Sequence, residues 1–159
     1  MEGKVIWVLL GDKLGDNAQI RLLANALKNK FSYDLTFKQI NYNDKYSQRN
    51  IRLGATLDTV IENESDSLDL RYSPDIVLFT GRKAVPVARW IKSKSESKVK
   101  LVAVGQPRAP FFWFDLIIST RQYKLPVCIP NLVTNNFTLN RFDITDEGLS
   151  SGGHAIFND

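Results

Sequence analysis

Six consecutive apolar residues, Val5 to Leu10, stop at Gly11, and this run restricts the fold of the chain more than any other feature. A strand with one wet face alternates polar and apolar residues. A continuous run containing β-branched Val5, Ile6 and Val8 reads instead as a strand buried on both faces, as in a parallel sheet covered by helices. The run is far shorter than the ~20 residues that cross a bilayer. It leads into Asp12 and Lys13 with no small-residue cleavage site, so it does not read as a signal peptide.

The residues that follow keep to this scheme. Asp16-Asn17-Ala18-Gln19 has the form of a capping box, in which the Asp16 carboxylate accepts from first-turn N–H groups and Gln19 reaches back. Ile20, Leu23, Ala24, Leu27 and Phe31 then recur on one helical face. Leu35–Ile40 predicts a second strand, Asn41–Asn50 a polar loop, and Leu53, Leu57, Val60 and Ile61 a second helix. Glu62–Ser73 is an acidic, Ser-rich connection. Ile76–Thr80 is a third strand closed by Gly81, and Ala84, Val87, Ala88, Trp90 and Ile91 form a third amphipathic helix. Pro86 suits its first turn, where no N–H is needed. Leu101–Val104 and Leu116–Ser119 are further short strands, and Val127–Ile129 with Leu132–Val133 supplies the last.

Helices alternating with apolar strands imply right-handed crossovers. The expected fold is α/β: a Rossmann-like three-layer domain with a mostly parallel sheet of five or six strands over residues 1–140. Residues 141–159 turn polar and Gly-rich and read as a tail, or as a truncated interdomain linker.

A chain of 159 residues is one domain of ordinary size, able to bury a core without disulfides or metals. Cys128 is its one cysteine, so no intrachain disulfide forms. Its apolar neighbours Val127 and Ile129 predict a buried structural thiol. With His154 the one histidine, and placed in the polar tail, there is almost no material for Cys/His metal sites or Cys–His catalysis; no metal and no cofactor is expected. Charge is uneven. Gly81 to Arg108 holds eight basic residues against one acid, Glu96, which leaves the rest of the chain net acidic. Such a region favours phosphate-bearing partners, although Lys92 to Lys100 reads more simply as a solvated helix end. No aromatic stacking pattern interleaves these bases, so nucleic acid is not an expected partner.

In open α/β sheets ligands bind outside the carboxyl ends of the strands. Four segments there carry the candidate residues. After the first strand come Gly11, Asp12, Gly15, Asp16 and Asn17, with two glycines and a helix N-terminus that favours anions. Gly81, Arg82 and Lys83 follow the third strand, and a guanidinium there suits phosphate or carboxylate. Gln106 and Arg108 follow the fourth, with Pro107 and Pro110 restraining the loop; Gln122 and Tyr123 follow the fifth. Asp12 and Asp16 are the candidates for acid–base work, with no visible partner to tune them. The spacing fits neither a Walker A loop nor G-x-G-x-x-G. Phe111–Phe114 (F-F-W-F) packs beneath the loop, or docks a partner or membrane surface.

These segments, in this order, resemble the mitochondrial-fission ELM family, the plant elongated-mitochondria protein and its bacterial relatives. The matching stretches are Ile6 to Asp12, Gly15 to Gln19, Gly81-Arg82-Lys83, Pro86 to Arg89, Gln106-Pro107-Arg108, Phe114 to Ile117 and Gln122 to Pro126. The resemblance implies one half of a GT-B-like architecture, in which two Rossmann-like domains face each other across a cleft, as in sugar-nucleotide glycosyltransferases. This chain is similar to the N-terminal, acceptor-side domain. It is expected to be inactive alone, to meet a sugar nucleotide or phosphate-bearing small molecule, and to lack a C-terminal domain or protein partner. The alternative is a non-catalytic adaptor that recruits a partner. The implied location is cytoplasmic and peripheral to the inner membrane, or on the mitochondrial surface in a eukaryote.

Overall fold

β1 (Val5–Leu10) lies inside the sheet with β2 (Asp34–Gln39) on one side and β3 (Ile76–Thr80) on the other. The computed structural model describes residues 3–96, 98–125 and 128–135. β4 (Lys100–Val104), β5 (Leu116–Thr120) and β6 (Leu132–Asn135) extend the sheet, giving the order β2-β1-β3-β4-β5-β6. Every pairing is parallel. The continuous apolar run of β1 is explained by this central place: Ile6 to Leu10 are all buried.

From β1 the chain passes through α1 (Leu14–Phe31) to β2, then returns past β1 to reach β3. From β3 it passes through α3 (Val85–Lys94) to β4, in the opposite direction along the sheet. Right-handed crossovers in opposite directions place the two helices on opposite faces. Ile20 and Ala24 of α1 and Val85, Val87, Ala88 and Ile91 of α3 are buried against the sheet. This is the Rossmann-like three-layer fold expected from the sequence. Pro86 lies in the first turn of α3, where its missing N–H costs nothing.

The second helix is mostly absent. Only one turn, α2 (Asn50–Leu53), forms, and Gly54 ends it with φ +67°. Leu57 and Val60 pack against the core as irregular chain, with Tyr42 and Val60 joined in an antiparallel bridge. Long-range pairing here overrides a local helical pattern, since four suggestive positions supply little burial of their own. The acidic connection runs beside the exposed edge strand: Gln39 N donates to Asp66 Oδ2 (2.7 Å), and Asp66 N donates back to Gln39 O (2.8 Å). These contacts cover the free rim of β2 that would otherwise invite pairing with another chain.

Cys128 corrects the sequence reading: it is exposed. The strand forms four residues later, at Leu132, so Cys128 belongs to the turn before it. Asn131 fixes that turn by donating from Nδ2 to Phe111 O (2.9 Å) and Phe114 O (2.8 Å). Val127, His154 and the tail 141–159 lie outside the described residues.

Candidate functional site

The strand order reverses direction between β1 and β3, which is the topological switch point of this sheet. Leu9 is level with Phe79 and Thr80 with Val104, so the loops after β1, β3 and β4 leave along one edge. A cleft of about 290 Å³ opens there. It brings together Gly11, Asp12, Asp16 and Asn17 from the first loop, Gly81, Arg82 and Lys83 from the second, and Arg108 from the third. Gly15, Gln106, Gln122 and Tyr123 do not line it. Gly15 faces open space on α1, and Tyr123 packs beside Gly105 near the end of β4.

The first loop is tied to the helix that follows it. Asn17 Oδ1 accepts from Gly11 N (2.9 Å), Asn17 Nδ2 donates to Gly11 O (2.8 Å), and Gln39 Nε2 donates to the same carbonyl (3.0 Å). The Asn17 carboxamide is therefore engaged by the backbone of the turn. The capping box does not form. α1 begins at Leu14, with Lys13 at the N-cap and no side-chain cap, and Asp16 sits inside the first turn. The helix starts early because the Asn17–Gly11 exchange closes the loop, leaving the first-turn N–H groups uncapped by any side chain.

Charges in the cleft are partly matched. Lys83 Nζ donates to Asp12 Oδ2 at 2.9 Å and lies 4.0 Å from the centre of the Tyr46 ring. The hydrogen bond from Lys83 holds the Asp12 carboxyl below its ordinary range, against a smaller effect of burial. That carboxylate is paired and poorly suited to act as a base near neutral pH. Burial, helped by the negative charge of Asp12, pushes the Tyr42 phenol well above its usual value, so it stays protonated. Arg82 Nη2 donates to Tyr46 O (2.8 Å). Among the described residues neither Arg82 nor Arg108 forms an ion pair.

Backbone geometry aims these groups. Gly81 has φ +73°, a conformation glycine adopts without penalty, and its N–H is occupied by Val104 O (3.2 Å). Arg108 has φ +50°, unusual for a residue with a side chain. The carbonyl just before it is anchored by Asn50, which is 4% exposed. Asn50 Nδ2 donates to Arg82 O (3.0 Å) and Pro107 O (3.0 Å), with Arg108 O at 3.5 Å. One buried amide thus joins the loops after β3 and β4. Asn50, Lys13, Tyr42, Tyr46 and Thr80 were not singled out by sequence reasoning. Most sit in the stretch read only as a polar loop or just beyond a strand, where no local pattern marks them.

The basic region is not one patch. Lys92 Nζ (2.7 Å) and Lys100 Nζ (3.5 Å) converge on Asp115, and Arg89 stacks 3.5 Å from the centre of the Trp113 ring, its pKa lowered by burial. Of the F-F-W-F segment, Phe114 is buried against Phe79 with ring centroids 5.9 Å apart, Phe111 and Trp113 are half-buried, and Phe112 is 84% exposed. Among the described residues no helix is long and apolar enough to cross a membrane, and no group of three or more His, Cys, Asp or Glu is gathered to hold a metal.

The fold and cleft define a doubly wound α/β domain with a cleft at its switch point lined by four basic and two acidic side chains. The family model described as Mitochondrial fission ELM1 matches residues 15–155, and the chain belongs to that family. A curated relative, the uncharacterized protein RP120 of Rickettsia prowazekii (strain Madrid E), is 30% identical over 118 residues. The match covers 71% of this chain and 30% of the relative, so the matching part of the chain spans less than a third of that protein's length. Among solved structures, a LacI family transcriptional regulator CCPA from Weissella paramesenteroides with bound glucose aligns at TM-score 0.48 and 10% identity. That alignment covers 76% of this chain and 38% of the regulator. A putative LacI transcriptional regulator from Bacteroides fragilis aligns at TM-score 0.43 and 11% identity, covering 77% and 39%.

Proposed function

We propose that the switch-point cleft binds a phosphate-bearing small molecule, and that this domain is the acceptor-side wall of a GT-B-like, glycosyltransferase-related ELM protein. One observation carries the binding reading. Four cationic side chains (Lys13, Arg82, Lys83, Arg108) and two carboxylates line a cleft at the switch point, and neither arginine is neutralised by an ion pair among the described residues. Unpaired guanidinium groups on restrained loops suit a tetrahedral oxyanion through paired N–H donors. The uncapped first turn of α1 adds the positive end of a helix dipole on the same side. The glycosyltransferase-like part rests on the family resemblance alone. In this reading the isolated chain carries out no transfer, because Asp12 is held by Lys83 and a facing domain supplies the donor.

Titration of the ¹⁵N-labelled chain with UDP-glucose or GDP-mannose tests the binding reading. Saturable shifts at Gly11, Gly81, Lys83 and Arg108 are expected; a spectrum unchanged at all four overturns it.

A second reading, a partner-recruiting module, is favoured by one observation. Phe112 stands 84% exposed on a segment whose other three aromatics are packed. An exposed aromatic on a rigid base is a suitable anchor for a partner.

A further inference from the structure

A second cleft, of about 400 Å³, adjoins the first and shares Arg82 and Arg108 with it. Its third cation is Arg49, one residue before the turn α2. No acidic side chain lines it, and none of the three arginines forms an ion pair among the described residues. Arginines gathered with no counter-charge repel one another, and an anion between them relieves that repulsion.

The arrangement is also braced. Asn50, adjacent to Arg49, hydrogen-bonds the carbonyls of Arg82 and Pro107 and thereby fixes where all three side chains start. Arg82 is further held through Tyr46 O, and Arg108 keeps its left-handed backbone between Pro107 and Ala109. Such bracing removes part of the ordering cost that exposed arginines otherwise carry on binding. Ile51, 67% exposed, and Pro110 give the cleft an apolar side. A bare ion makes no use of that side, whereas the carbon body of an ester does.

Building on the anion-binding reading of the switch-point cleft, we propose that Arg49, Arg82 and Arg108 form a second subsite. It takes the phosphoryl group of a small phosphate ester, with Ile51 and Pro110 against the organic part. The shared arginines then make the ELM ligand one that presents anionic groups to both adjoining clefts.

The test is amide NMR of the full chain titrated separately with inorganic phosphate and with glucose 6-phosphate. Two sets of saturable shifts are expected, one at Gly11 and Gly81 and a second at Arg49, Ile51 and Ala109. Arg49→Gln, at an exposed position, should weaken the second set about tenfold, the effect of losing one charge-assisted contact. It should leave the first set within about twofold. Glucose 6-phosphate should bind at the second set about threefold tighter than phosphate, from burial of its apolar atoms. Equal affinity would assign the subsite to the free ion and overturn the ester. Movement of the first set with a silent second set, or a second set unaltered in Arg49→Gln, removes the subsite and leaves the switch-point reading standing. Silence at both sets overturns both.

Discussion

Lys83 and Asp12 are 71 residues apart in sequence and meet at 2.9 Å, joining the loop after β3 to the loop after β1 across the switch point of the sheet. Both residues line the candidate site, and Tyr46 backs the ammonium from a third segment. The Asp12 side chain is 57% exposed, so solvent screens the attraction.

The pH dependence of this pair follows from the direction of the Asp12 shift. A carboxyl whose folded-state pKa lies below its unfolded value binds protons more tightly when unfolded, so the pair adds stability above the unfolded value. That contribution is lost as pH falls through the folded value, in the acid range below the ordinary 3.8. For an exposed pair it is about 0.2–1 kcal/mol. The Asp12 carboxyl followed by ¹³C NMR should titrate below the ordinary range in the native chain and move upward in Lys83→Gln. An unchanged midpoint would show that Lys83 does not set it.

Asn50→Ala should cost about 1–3 kcal/mol in urea unfolding, because it leaves the Pro107 carbonyl buried without its donor. The same change frees the loop that carries Arg108, so amide exchange there should quicken while exchange in β1 keeps its native rank. A loss below about 0.5 kcal/mol would place Asn50 among surface residues that contribute little.

Phe114 and Phe112 should respond oppositely to truncation. Phe114→Ala opens a cavity beside Phe79 and is expected to cost about 3–5 kcal/mol. Phe112→Ser should change stability by no more than about 0.5 kcal/mol. If Phe112 anchors a partner, that variant should fail to sediment with anionic vesicles or to bind the partner while melting normally. Undiminished association would sink the recruiting reading.

Much of the fold was legible because β1, β3 and β4 are short apolar runs, each closed by a glycine (Gly11, Gly81, Gly105). β1 and β3 coincide with the apolar runs read from the sequence, β4 and β5 differ by one residue at one end, and β2 is shifted by one residue at both ends. The failures share a cause. Leu53, Leu57, Val60 and Ile61 suggest a helix locally, but Gly54 turns the chain and Val60 bridges Tyr42. Asp16 and Gln19 suggest a cap, but Asn17 closes the loop on Gly11 first. Cys128 lies in an apolar run that ends before its strand begins.

The sequence by itself determined the parallel α/β class and the edge on which the loops after the strands gather. Apolar runs buried on both faces admit few architectures, and right-handed crossovers then fix which loops share an edge. Only the tertiary structure decided which of those residues meet. It drew Arg82, Lys83 and Arg108 to Gly11 and Asp12, left Gln106 and Gln122 outside, and recruited Arg49 and Asn50 from a stretch that reads only as a polar loop. Such meetings depend on contacts between residues dozens of positions apart, which no local periodicity encodes.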